Sequence, residues 1–145
     1  PMGWKKTALA LGPLLLFAGA CAPQPARDVV VEIPCDRFSA EAGDQVMITR
    51  TASVARGGHI VLRLCSNPST GFSWEDAHIS QPSVLAELSR TSLPPTIAMP
   101  GAAGLEEWTF EARDKGVCTV TFSYSRPWDG GEKGAWQFQL DVTVT

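Results

Sequence analysis

The sequence predicts an all-β fold in which antiparallel sheets pack face to face as a sandwich. Two observations support this prediction. Short segments in which apolar and polar residues alternate recur from residue 29 to the end of the chain, and glycine- or proline-containing turns separate many of them. A period of two places apolar side chains on one face of each strand, so each sheet has a face to bury. The number and length of the strands favour the immunoglobulin-like kind of sandwich.

The predicted strands are residues 29–33, 45–50, 60–64, 72–74, 108–112, 117–124 and 136–144. The last segment alternates most regularly, since every second residue from Trp136 to Val144 is apolar. Trp74 and Trp108 are in register with inward-facing positions and are expected in the core, as is Trp136. The one helix that the sequence indicates is a short one around residues 82–88.

Residues 1–21 have the features of an export signal. Lys5 and Lys6 precede an apolar run at 7–17, which is shorter than the ~20 residues that a membrane-spanning helix needs. The small residues 18–20 followed by Cys21 resemble a bacterial lipobox, in which the cysteine carries a lipid. This resemblance implies an exported protein, anchored through Cys21 in the bacterial cell envelope, in the periplasm or at the cell surface. Simple cleavage near Ala20 is the alternative.

The remaining chain divides into two parts. Residues 22–40 contain a proline-containing tether and the N-terminal strand, and residues 41–145 form the main domain, which is in the usual size range of a single domain. The formal net charge is −3 and no basic patch is visible, which argues against nucleic acid as a partner.

The sequence shows no catalytic or metal-binding pattern. His59 and His78 are the only histidines, and neither lies in a context typical of a nucleophile–base pair. Two histidines with scattered acidic residues do not have the spacing of metal ligands. We therefore expect neither an enzyme, nor a cofactor, nor a metal.

Three cysteines remain once Cys21 is assigned to a lipid. Cys118 lies on the same face of its strand as Val120 and is expected to be buried. A disulfide between Cys35 and Cys65 is favoured, because it would join the N-terminal strand to the segment that precedes residue 67. The alternative is a Cys65–Cys118 disulfide, the inter-sheet pairing of antibody domains.

Three turn segments carry residue types that are common in binding loops. They are Asn67-Pro68-Ser69-Thr70-Gly71-Phe72, Gly101-Ala102-Ala103-Gly104 and Arg126-Pro127-Trp128. Their order and spacing resemble those of the chagasin family of cysteine peptidase inhibitors, over roughly residues 40–145. The family motifs are Asn-Pro-Thr-Thr-Gly-aromatic, Gly-x-Gly-Gly and Arg-Pro-Trp, so Ala103 departs from the second.

This resemblance implies a reversible, non-covalent inhibitor of papain-like cysteine peptidases that acts as a monomer and blocks the active-site cleft with three loops. Thr70 and Gly71 would lie nearest the catalytic thiolate. Trp128 would pack on an aromatic wall of the cleft, and Arg126 would bind acidic groups at its rim. Tryptophan and arginine are also the residue types that dominate interface energies. The alternative function is that of an immunoglobulin-like envelope lipoprotein with an adhesive or assembly role.

Overall fold

The computed structural model describes residues 24–38 and 45–145, together with positions 3, 10, 12, 13 and 19. Cys21 and most of the predicted export signal lie outside the described residues. Its strands are β1 (Asp28–Ile33), β2 (Val46–Val54), β3 (His59–Ser66), β4 (Ser73–Trp74), β5 (His78–Ile79), β6 (Leu85–Leu93), β7 (Gly104–Ala112), β8 (Gly116–Ser125) and β9 (Trp136–Val144). Within the described part of the chain, none of the helices is long and apolar enough to cross a membrane.

Two sheets form the predicted all-β sandwich. One has the strand order β1-β3-β7-β6, and the other has the order β2-β9-β8-β4, with β5 also paired to β8. Most neighbouring strands are antiparallel, but β1 runs parallel to β3 and β2 runs parallel to β9. An alternating apolar pattern is the same for both directions, which is why the sequence did not distinguish them.

The core lies between the two sheets, where the inward residues of β3, β7, β8 and β9 meet. Its largest fully buried side chains are Trp108, Tyr124, Phe38, Phe110, Phe122 and Phe138. Trp74 is also buried, and Trp136 is partly buried against this cluster, as the strand pattern predicts. Burial of each large apolar side chain contributes ~1.5–3 kcal/mol, which makes this cluster the main source of stability.

The predicted helix at residues 82–88 is wrong. Residues 82–84 form a turn and Leu85 begins β6, a strand at the edge of its sheet. Val84, Leu85 and Leu88 have a helix-like spacing, but a register shift between Glu87 and Ser89 breaks the alternation of the strand. Most of β6 is exposed, so it lacks the apolar period by which seven of the strands were predicted. The two-residue strand β5 was also not predicted.

A disulfide joins Cys35 to Cys65, with their Cα atoms 4.8 Å apart. It ties the 3₁₀ turn Cys35–Phe38 to the end of β3. Phe38 of this turn stacks on Trp136, with 4.8 Å between the ring centroids, and so closes one end of the core. Cys118 is a free, buried cysteine, so the alternative Cys65–Cys118 pairing is excluded.

The direction of β1 places the N-terminal segment at one end of the sandwich. Asp28 pairs with His59, the first residue of β3, and Ile33 pairs with Leu64 near its last residue. The backbone N–H groups of Ala55 and His59 donate hydrogen bonds to the carbonyls of residues 26 and 27. The segment before β1 therefore meets the sandwich at the end opposite to the connection that follows β3.

Candidate functional site

Three connections meet at the end of the sandwich where β3 finishes. We name them loop L1 (residues 67–72, between β3 and β4), loop L2 (residues 94–103, between β6 and β7) and loop L3 (residues 126–135, between β8 and β9). The Asn67 side-chain amide donates a hydrogen bond to the Gly101 carbonyl at 3.1 Å, which joins L1 to L2. The Arg126 guanidinium donates to the Thr70 carbonyl at 3.3 and 3.4 Å, which joins L3 to L1. Loop L1 therefore lies in the middle.

Loop L1 is held in a compact turn by its own side chains. The Asn67 backbone N–H donates to the Tyr124 hydroxyl at 2.8 Å, which fixes the start of the loop to β8. Pro68 begins a 3₁₀ turn, and the Thr70 hydroxyl donates to the Asn67 carbonyl at 2.7 Å. The Ser69 hydroxyl donates to the Asn67 side chain. Residues 68–70 are exposed, so a rigid tip projects into solvent.

Gly71 ends this turn in the left-handed conformation, with φ of +81°. The Trp128 ring of L3 lies directly against it, since a Cβ atom on Gly71 would be 2.6 Å from Trp128 Cη2. Glycine is therefore required twice, once for its backbone angle and once for the space above its Cα atom. Trp128 nevertheless keeps 52% of its surface exposed and is available to a partner.

Arg126 binds within the site instead of pairing with a carboxylate. Its guanidinium carbon lies 4.5 Å from the centroid of the Phe72 ring and 5.9 Å from that of the Trp128 ring, in addition to its bonds to Thr70. None of the ion pairs among the described residues involves Arg126. Its observed contacts thus hold L1 and L3 together, and Pro127 stiffens the step from Arg126 to Trp128.

Loop L2 lies on the other side of L1. Gly101 has a φ of +76°. Ala103, which stands where the family has glycine, is partly buried and packs its methyl group against the core. A Cβ atom on Gly104 would collide with the Leu93 carbonyl, so glycine is required there. Ala102 donates its backbone N–H to the carbonyl of Met99 at 3.1 Å.

The sequence analysis missed two exposed apolar side chains in L2. Ile97 and Met99 expose 66% and 64% of their surfaces. They lie N-terminal to the glycine-containing motif, and a single apolar residue in a turn is not by itself a signal of binding. Only the fold shows that they belong to a loop that is hydrogen-bonded to L1 through Gly101.

A second feature that the sequence did not reveal is a hydrogen-bond network centred on Arg90 of β6. Arg90 Nε donates to Glu106 at 2.8 Å, and its Nη2 donates to the Trp74 carbonyl at 2.5 Å. The guanidinium also covers the Trp108 ring at 5.1 Å. Glu106 accepts a further hydrogen bond from Ser92. These bonds join β4 of one sheet to β6 and β7 of the other, close in sequence to the strand ends that flank L1 and L2.

In the described part of the chain, charged and titratable groups outside the three loops form no reactive centre. His59 lies 3.3 Å from Asp28 at the end opposite to the loops. On the outer face of one sheet Arg63 binds Glu107 at 2.7 Å, and this hydrogen bond raises the pKa of Arg63. Over the described ranges, no group of three or more His, Cys, Asp or Glu side chains is placed to hold a metal. The loop end is a hydrogen-bonded, partly apolar surface.

Comparison with known proteins identifies the family of the chain. Residues 53–142, which include all three loops, match the model of the "Chagasin family peptidase inhibitor I42". Chagasin from Trypanosoma cruzi is 31% identical over 93 residues, which cover 62% of this chain and 84% of chagasin.

Two solved structures share the fold. The crystal structure of a cysteine protease inhibitor from Entamoeba histolytica superimposes with a TM-score of 0.59 at 19% identity, over 81% of this chain and 97% of that protein. The structure of PbICP-C in complex with falcipain-2 gives a TM-score of 0.56 at 18% identity, over 80% of this chain and 98% of the matched chain. The family consists of peptidase inhibitors and not of enzymes, which confirms the expectation drawn from the two histidines. The chain belongs to the chagasin family of peptidase inhibitors.

Proposed function

We propose that this protein is a reversible, non-covalent inhibitor of papain-like cysteine peptidases and that it blocks their active-site cleft with L1, L2 and L3. The observation that carries the proposal is the hydrogen-bonded alignment of the three loops at one end of a rigid sandwich, with L1 at the centre. A preformed surface loses little conformational entropy on binding, so more of its contact energy appears as affinity. The match of PbICP-C, which was solved in complex with falcipain-2, supports a cysteine peptidase as the partner.

The conformation of L1 explains how the tip would occupy a cleft without being cleaved. Thr70 and Gly71 would lie nearest the catalytic thiolate. Nucleophilic attack needs a carbonyl carbon about 3–3.5 Å from the sulfur and an oxygen free to enter the oxyanion hole. The Asn67 and Pro68 carbonyls accept bonds within the turn, and the Thr70 carbonyl accepts bonds from Arg126. The carbonyls of Asn67, Pro68 and Thr70 are therefore engaged inside the protein, which would hinder attack at these three positions.

The flanks of L1 would supply the apolar contacts. Trp128 lies on the L3 side, and Ile97 and Met99 lie in L2 on the other side. These exposed side chains would pack on the two walls of the cleft. An interface of usual size buries about 800 Å² on each partner, and three aligned loops are sufficient for such a footprint.

The first test is a titration of papain with the protein starting at Ala22. The rate at which papain hydrolyses a fluorogenic substrate is measured at each protein concentration. We expect saturable inhibition with a one-to-one stoichiometry. The double variant Thr70→Ala/Trp128→Ala should lose it, whereas Val117→Ala should not, because Val117 is 69% exposed at the opposite end of the sandwich. The absence of inhibition of papain and of a cathepsin L-like enzyme at micromolar protein would refute the proposal and favour an adhesive or assembly role.

The proposal includes export and anchoring through a lipid on Cys21. Its support is the sequence of residues 1–21, with two lysines, an apolar run and small residues before the cysteine. In the cell envelope, in the periplasm or at the surface, such a protein would meet peptidases outside the cytoplasm. We propose that it binds them as a monomer.

A further inference from the structure

The turn that carries Trp128 is crossed by a lysine side chain. The Lys133 ammonium donates hydrogen bonds to the Arg126 carbonyl and, at 3.1 Å, to the Trp128 carbonyl. These two carbonyls flank Pro127. Lys133 thus links the C-terminal part of L3 to the N-terminal part, which carries Trp128.

Backbone and side-chain donors share the hydrogen bonds of this turn. Proline has no backbone N–H, so the residue between the two carbonyls cannot donate to a neighbouring strand. The Arg126 N–H donates to the Glu132 carbonyl at 2.8 Å, and Gly131 donates to Trp128 at 3.0 Å. An ammonium group has three donors on a flexible stem and can satisfy two acceptors at once.

We propose that Lys133 is a positioning residue that holds Trp128 against Gly71 in the orientation required for peptidase binding. The inference rests on the proposed function and extends that function by assigning a role to a residue outside the three family motifs. In this proposal Lys133 acts through the turn, since its ammonium binds the carbonyls of Arg126 and Trp128. Charge-assisted hydrogen bonds are stronger than neutral ones, so their loss should loosen the turn.

The test compares three variants in the papain titration. Lys133→Met keeps the aliphatic stem and removes the ammonium, and we expect it to raise the inhibition constant about tenfold. Lys133→Arg should restore most of the affinity, since a guanidinium can also donate to two carbonyls. Lys115→Met makes the same charge change in the β7–β8 turn, at the other end of the sandwich, and should leave inhibition unchanged. The melting temperatures of all three variants should remain within a few degrees of that of the parent protein.

A double-mutant cycle with Trp128→Ala separates positioning from direct contact. If Lys133 acts through Trp128, Lys133→Met should have little further effect once the indole is gone. Equal effects of Lys133→Met with and without Trp128 would show a direct contact with the peptidase and would overturn the inference.

A readout without peptidase keeps this inference separate from the proposed function. The indole N–H resonance of Trp128, assigned with Trp128→Ala, should shift or broaden in Lys133→Met and not in Lys115→Met. An unchanged resonance, with unchanged inhibition, would refute the role of Lys133. Failure of the parent protein to inhibit any cysteine peptidase would refute the proposed function, while the resonance would still report on the turn.

Discussion

Gly71 is the residue whose replacement tests the site most directly. Gly71→Ala places a methyl group against the Trp128 ring and forces a left-handed backbone that costs an L-residue ~1–2 kcal/mol. We expect the inhibition constant for papain to rise at least tenfold. Gly57→Ala is the matched control, because Gly57 has a φ of +83° with nothing within 4 Å of an added Cβ atom. It should cost similar stability and leave inhibition intact. Equal losses of inhibition in both variants would mean that Gly71 serves only the fold.

Trp128 should be an energetic anchor of the complex. Trp128→Ala should weaken inhibition by about 2 kcal/mol or more, roughly 30-fold, as for buried interface tryptophans. The fold should not change, since the ring is half exposed in the free protein. Inhibition constants and thermal unfolding should be measured together, with Leu88→Ala as an exposed apolar control on β6. Inhibition equal to that of the parent protein would remove Trp128 from the site.

The residues that the sequence revealed differ physically from those that it missed. Thr70, Gly71 and Trp128 stand in short contiguous motifs, where neighbouring residue types already indicate a turn or an anchor. Arg90 and Lys133 act on partners that only the fold brings near, and a lone arginine in a strand or lysine in a turn looks like a solvated charge. Local patterns do not encode such contacts.

At the scale of elements, the Cys35–Cys65 disulfide should stabilise the loop end. It closes a loop of 30 residues, and such a bond typically contributes ~2–4 kcal/mol. Differential scanning calorimetry should therefore show a clearly lower melting temperature when dithiothreitol is added. Cys118→Ala should respond to the reductant as the parent protein does, because Cys118 is a free cysteine. A melting temperature that is insensitive to reduction would contradict this assignment of stability.

The strands show when alternation is a sufficient signal. β8 and β9 are paired along both edges and bury most of one face, so their apolar period is easily recognised. β6 has a single neighbour, most of its residues are exposed and its register shifts at Glu87, so neither its type nor its length could be predicted. A strand that is mostly exposed gives a weaker apolar pattern than a strand that buries most of one face.

For the whole molecule, the predicted lipid on Cys21 remains to be tested. Cys21→Ser removes the thiol that would carry the lipid, so the variant should leave the membrane fraction and appear in the soluble fraction. Because a buried acyl chain contributes ~0.8 kcal/mol per methylene, the difference between the two forms should be nearly complete. Cys118→Ala should stay with the membrane. Retention of Cys21→Ser in the membrane would count against a lipid anchor.

The parallel pairing of β1 with β3 has a consequence for how an anchored molecule would stand. The tether joins the sandwich beside His59, whereas L1 follows Ser66, a strand length of roughly 25 Å away at ~3.3 Å per residue. An antiparallel β1 would have brought the tether beside L1 and turned the tip towards the lipid. With a parallel β1, the loop end of an anchored molecule would face away from the membrane. A peptidase could then bind the loops without touching the bilayer.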